Sequence, residues 1–425
     1  MPGRLSLKVT DGEVIDMVRL ERIKVCIAVL FLLVTVESSV SVSFAAEKTA
    51  EGDITADCVI GVDCDEEHRK RMTTNDYASY WTGKPGAAIN VNVKNNKSAG
   101  GVAFSFHSKP VTIRAVDEQT GMPLGEYSDI YENGYIQFCT PSSSFRLVVG
   151  SDSENAEISK LSVFSDEDIP AWVQRWEVMD GAADLMLVST HPDDELLWFG
   201  GMLPYYAGQM KKKVIVVYMV GGNSPKRKNE LLDGLWACGV RYYPEIGCFP
   251  DKGASSLNST IRNWGEGAAQ QRVTKMIRKY RPKVVVTQDI KGEYGHFHHI
   301  VTVQAVIDSV TVLSADPDYD VESVEKYGVW SPLKLYLHLY KENVITFDWR
   351  QPLTAFNGQT GLDVAKNAFK MHISQQTGRY RVSDSGKNDC RIFGLYYTTV
   401  GEDAIHNSMF EHIDDECETE IVIQP

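Results

Sequence analysis

The chain has 425 residues, 43% hydrophobic and 10% aromatic, which is enough to bury the cores of two ordinary domains and too apolar for disorder. Its formal net charge of -14 argues against nucleic acid or an anionic membrane as a partner, since no basic stripe is present to neutralise phosphates. The basic run Lys211-Lys212-Lys213 lies between a predicted helix and a predicted strand and reads as a solvated turn.

Taken in chain order, Arg19, Arg22 and Lys24 precede an apolar run over 25–34, and Ser43-Phe44-Ala45-Ala46 follows. A basic start, a short apolar stretch and a small-residue end read as a secretory signal over 1–46, with Met17 as an alternative start. The run is too short to span a bilayer comfortably before Glu37 interrupts it, so no stable membrane span is expected after cleavage. A secreted or extracytoplasmic protein is therefore expected. Export predicts oxidised cysteines. Beyond Cys26 these are Cys58, Cys64, Cys139, Cys238, Cys248, Cys390 and Cys417. Spacing does not fix their pairing. Cys238 and Cys248 close a short loop, and a bond between them would contribute about 3 kcal/mol.

Residues 52–165 carry short alternating runs, among them 88–93, 102–106, 111–115 and 145–149, separated by turn residues. That spacing predicts an antiparallel β-sandwich. Tyr80 and Trp81 have the chemistry to stack on a sugar ring, but the ordinary place of such aromatics is the core. Residues 166–179, opening on Asp166-Glu167-Asp168-Ile169-Pro170, read as a linker.

From 180 to 415 strands and helices alternate. Strands are predicted at 184–190, 214–220, 283–288 and 333–340, and helices at 195–209, 225–238, 266–280, 299–313 and 361–374. This alternation predicts an α/β fold, a mainly parallel sheet with helices on both faces. Gly200-Gly201 falls inside the first helix, which implies a close approach or a helix break.

Two clusters carry the chemistry. Thr190-His191-Pro192-Asp193-Asp194-Glu195 directly follows the first predicted strand, and Gly292-Glu293-Tyr294-Gly295-His296-Phe297-His298-His299 closely follows the third. Ligands of open α/β sheets sit outside the carboxyl ends of the strands, so both clusters stand where a site is expected. His191 and Asp194 are three apart on a turn, and His296 and His299 are three apart entering a helix. Imidazole and carboxylate suit zinc or a similar divalent ion, and a catalytic site keeps three protein ligands and one open position. Asp193 is left free beside them, as a general base requires. His298 is expected to be solvated or to touch a ligand from outside. His338 and His372 are expected to be structural.

With these residues in view, the chain resembles the PIG-L / LmbE-like zinc deacetylases over about residues 180 to 412. That resemblance implies a Rossmann-like fold and removal of acetyl from an N-acetylglucosamine-type sugar or glycan. It implies His191, Asp194 and His299 as metal ligands, Asp193 as base, and His296 as acid or oxyanion stabiliser. Tyr294 would sit over the reacting carbonyl, and Arg227 and Asp251 would grip the sugar. One departure is that Phe297-His298 stands where many members have Pro-Asp. In the β-sandwich, Asn75-Asp76-Tyr77-Ala78-Ser79-Tyr80-Trp81 resembles the opening of discoidin-like domains, which often bind sugars. The alternative to an enzyme is a glycan-binding protein whose deacetylase domain is degenerate.

Overall fold

The computed structural model describes residues 52–413, apart from 63–71, 73–76, 129, 152–153, 166–168, 222–223 and 253–254. The predicted signal, with Cys26, lies outside the described residues, as do Cys64, Cys417, Asn75-Asp76 and the acidic start of the predicted linker. Among the described residues no helix is long and apolar enough to cross a membrane.

Nine strands build the N-terminal half: β1 (Cys58–Val62), β2 (Trp81–Gly83), β3 (Ala88–Val93), β4 (Ala99–Phe106), β5 (Ile113–Asp117), β6 (Pro123–Tyr127), β7 (Asn133–Ser142), β8 (Ser144–Val149) and β9 (Ala156–Phe164). They form two antiparallel sheets, ordered β1-β3-β8-β5-β6 and β2-β9-β4-β7. One core is shared by Ile89, Val91, Phe104, Phe106, Phe145 and Leu147, as alternation along the strands requires. Trp81 is buried in that core, while Tyr80 stacks on His107 with ring centres 4.0 Å apart.

The second half is built on a six-stranded sheet of β10 (Leu185–Ser189), β11 (Val214–Tyr218), β12 (Val284–Thr287), β13 (Lys334–His338), β14 (Val344–Thr346) and β15 (Ile392–Thr398). Its order is β11-β10-β12-β13-β15-β14. The first four strands are parallel and the last two antiparallel to their neighbours. Every residue of β10 to β13 is buried, because both faces are covered. Leu185, Leu187, Val214, Val216, Val284 and Val286 share one core with Leu231, Leu232 and Leu235 of α2 (Pro225–Ala237) and Leu362 and Ala365 of α7 (Gly361–Phe369). Met186, Val188, Ile215, Val217 and Val285 face the other way, onto Val273 and Ile277 of α4 (Ala268–Tyr280) and Val303 and Val306 of α5 (Phe297–Asp308).

Several elements differ from the prediction. The helix expected over 195–209 is one short turn, α1 (Asp194–Leu197), followed by a π-helical turn at Pro204–Gln209. Gly200 breaks it with φ +49, and a Cβ there would lie 2.3 Å from Cys390 Sγ, so both implications of the glycine pair hold. Two helices were not expected, α3 (Leu257–Trp264) and α6 (Val321–Tyr327). In α3 only Thr260 and Trp264 are buried, which leaves little apolar periodicity to read. The antiparallel pair β14 and β15 was also missed, one strand being three residues long and the other interrupted by Gly394.

The connection between the halves is not a free spacer. Val173, Gln174 and Trp176 are buried, and Trp176 packs edge-on against Trp236 of α2 at 5.3 Å. Tyr77 donates to Asp233 of α2 (2.8 Å), as does Gln174 (2.6 Å). Buried Glu132 accepts from both Lys228 and Tyr243. α2 is thus clamped by both halves of the molecule.

Cys238 and Cys248, which the short spacing allowed to pair, are not bonded, and the oxidised cysteines expected of export are not seen among the described ones. Cys58, Cys139, Cys238, Cys248 and Cys390 are all free. Cys238 caps α2 inside the core, whereas Cys248 is exposed, so the short loop between them leaves the thiols in separate environments.

Candidate metal centre

The chain passes from β10 to β11 on one side and later to β12 on the other, so the direction of winding reverses at β10. Such a reversal opens a crevice at the carboxyl ends of the strands. Both clusters fall there, one after Ser189 and one after Thr287. Local backbone then aims the groups. Asp193 sits at φ +119, a conformation L-residues seldom adopt, and its N–H donates to Glu195 Oε2 (2.8 Å). Its carboxylate makes no capping bond to α1. In the second cluster Gly292 has φ +68, and a Cβ there would lie 2.7 Å from the His296 carbonyl oxygen. Tyr294 follows at φ +48, and His296 caps the start of α5.

The structure brings His191, Asp194 and His299 together, all buried. His191 Nδ1 lies 3.0 Å from Asp194 Oδ2 and 3.1 Å from His299 Nε2, and His299 Nε2 lies 3.1 Å from Asp194 Oδ2. A tetrahedral zinc ion bound at ordinary lengths holds its donors about 3.4 Å apart, so these side chains need move only a few tenths of an ångström to take one. The donor set, two imidazoles and a carboxylate, fits zinc or a similar divalent ion. Burial opposes ionisation of Asp194, but His299 and His191 hold its carboxyl well below the usual range. Burial likewise opposes protonation of His299, yet Asp194 and Glu293 outweigh it and raise that ring to about 10.

Residues that the sequence did not single out fix this triangle. Trp198 Nε1 donates to Asp194 Oδ1 (2.7 Å), and Gln288 Nε2 donates to Asp194 Oδ2 (3.2 Å). Glu293 bridges two histidines. Its Oε2 lies 2.8 Å from His299 Nδ1 and its Oε1 lies 3.1 Å from His338 Nδ1. Burial would push Glu293 up, but contact with His299 and His338 brings it down to about 2. A carboxylate inside the same short motif as a ligand histidine is the signal that could have found it, because ligand imidazoles are commonly oriented by carboxylates. His372 bonds Glu195 at 2.8 Å, and neither it nor His338 joins a metal-ligating group among the described residues.

The remaining expected residues surround the triangle. Burial first, and then the charge of Asp194, raises the carboxyl of Asp193. Arg227 lies in the first turn of α2, whose Ser224 cap accepts from the Arg227 N–H. Its guanidinium reaches Asp251 Oδ2 (3.1 Å), the Pro192 carbonyl (3.1 Å) and Asp193 Oδ1 (3.9 Å). Tyr294 is half exposed and stacks on Tyr380, ring centres 5.0 Å apart. His296 is centred 4.9 Å from His299 and 5.0 Å from His191. Burial and those neighbouring histidines pull it down to about 3, so it rests neutral. Of the two places expected for His298, the structure takes contact with a ligand rather than solvent. The side chain is buried, packs on Trp264 with ring centres 4.9 Å apart, and places Nδ1 3.1 Å from His191 Nε2.

A 1D-myo-inositol 2-acetamido-2-deoxy-alpha-D-glucopyranoside deacetylase from Catenulispora acidiphila is 28% identical over 39% of this chain and 58% of that one. The chain thus spans under two thirds of that relative's length. An N,N'-diacetylchitobiose deacetylase from Pyrococcus horikoshii is 21% identical, with TM-score 0.33 over 45% of this chain and 71% of that chain. The family 32 carbohydrate-binding module of NanJ from Clostridium perfringens is 11% identical, with TM-score 0.23 over 27% of this chain and 98% of that one. Residues 186–310, which hold the donor triangle and Asp193 beside it, match the family described as PIG-L: GlcNAc-PI de-N-acetylase.

Proposed function

We propose that the protein is a zinc-dependent hydrolase, on a Rossmann-like frame, that removes acetyl from an N-acetylglucosamine-type sugar or glycoconjugate. The observation that carries this reading is the convergence of His191, Asp194 and His299 within 3.1 Å of one another, with Asp193 beside them in neither metal-ligating group. A degenerate domain would not keep a complete donor set together with its base. When bound, a zinc ion supplies a Lewis acid for an amide carbonyl and lowers the pKa of water to about 7.

The chain's own groups do the rest. Asp193 accepts a proton from the water whose oxygen adds to the acetyl carbon. A carboxyl raised by burial is suited to hold that proton and return it. His296, neutral at rest, donates a hydrogen bond to the developing oxyanion, and the proton held on Asp193 passes to the nitrogen as the C–N bond breaks. Acetate and a free amine result. Tyr294 covers the reacting carbonyl from the half-exposed rim, and Arg227 with Asp251 holds sugar hydroxyls. The basic and apolar N-terminal run supports action outside the cytoplasm. The test is metal content together with acetate release from a panel of N-acetylated sugars. Asp194→Asn should lose both metal and turnover, whereas Asp193→Asn should keep metal and lose turnover. Equal loss of metal in the two variants would make Asp193 a ligand and defeat the assignment.

A further inference from the structure

The donor triangle uses only one ring edge of His191. Its other nitrogen, Nε2, lies 3.1 Å from His298 Nδ1 and 3.5 Å from Asp251 Oδ1, and those two atoms are 3.9 Å apart. These spacings bracket the roughly 3.4 Å between donors around a tetrahedral ion, whereas the first triangle's all fall slightly below it. Nitrogens of His191, His296 and His298 also all lie within 4.8 Å of one another, a second set sharing only His191 with the first. Their ring centres are 5.0 to 5.3 Å apart. His298 is buried and held by the Trp264 ring, so this edge is as fixed as the first. The other oxygen of Asp251 is occupied by Arg227, which leaves Oδ1 facing the imidazoles.

We propose that the chain binds a second divalent ion at His191 Nε2, His298, His296 and Asp251, so that His191 bridges two metals. The inference rests on the metal reading of the first triangle. An imidazole-rich set suits zinc, copper or nickel. Its occupation displaces the Nε2 proton of His191 to solvent. It also captures His296 and Asp251, which the reaction needs, so zinc beyond the first equivalent suppresses turnover.

The test uses the full chain, stripped by chelator and dialysed against buffered free Zn2+, with bound zinc measured per chain. The wild type should saturate at about two ions, one tighter than the other. His298→Ala and His296→Ala should each keep the tight ion and lose the weak one. His299→Ala should lose the tight one. A wild type that saturates at one ion, lost in His299→Ala, would overturn the second site and leave the first standing. A wild type that binds none would defeat the metal reading itself. A weakened single ion in His298→Ala, with wild-type saturation at one, would show that His298 only orients His191. The wild-type count decides the matter even if a variant fails to fold.

Discussion

Trp198→Phe isolates the positioning of a metal ligand from the ligand itself. In the wild type the buried indole donates to Asp194 Oδ1 at 2.7 Å, while Gln288 and the His191 N–H donate to the other oxygen. Phe retains most of the ring's packing and removes that one donor. A hydrogen bond to a charged group is worth about 1.5–3 kcal/mol, which at about 1.4 kcal/mol per decade is roughly a 10- to 150-fold loss of zinc affinity. Loss of an outer partner of a metal site commonly costs about 10- to 100-fold, and the two ranges agree. The zinc dissociation constant, measured by competition with a chromophoric chelator, reads this directly. Thermal unfolding of the metal-free variant controls for packing. A dissociation constant within about threefold of wild type, in a folded variant, would refute the claim that Trp198 holds Asp194 in place.

Gly200→Ala should destabilise the protein by about 2–4 kcal/mol, combining left-handed backbone strain with a Cβ 2.3 Å from Cys390 Sγ. Urea unfolding measures it, and Cys390→Ala in the same chain should return only the steric share; full recovery would show that the backbone carries no strain. Burial opposes protonation of His372, but Glu195 outweighs it and raises the pKa. A raised folded-state pKa stabilises below the unfolded value of about 6.5 and is lost as pH rises through the folded value. His372→Gln should therefore cost more stability at pH 6 than at pH 9, and a pH-independent loss would count against the ion pair.

The sequence by itself determined the two architectures, the strands that flank the site and the identity of the converging residues. It did so because these signals are local. The runs at 184–190 and 283–288 are apolar without alternation, as strands covered on both faces must be, and each is broken by a polar cluster rich in His and Asp. The same locality explains what it missed. Trp198 is one more aromatic until folding sets its indole against Asp194, and Glu293 is one more acid until His338 arrives from a neighbouring strand. For His298 the sequence left solvent and outside contact with a ligand both open, and the α3 segment bearing Trp264, by closing over it, decided for the contact with His191. The pairing of Cys238 with Cys248 looked natural at short spacing, and burial of one thiol and exposure of the other prevents it. Tertiary structure alone decided that one ring of His191 would face two sets of donors, because that depends on which elements pack against each edge and not on any spacing along the chain.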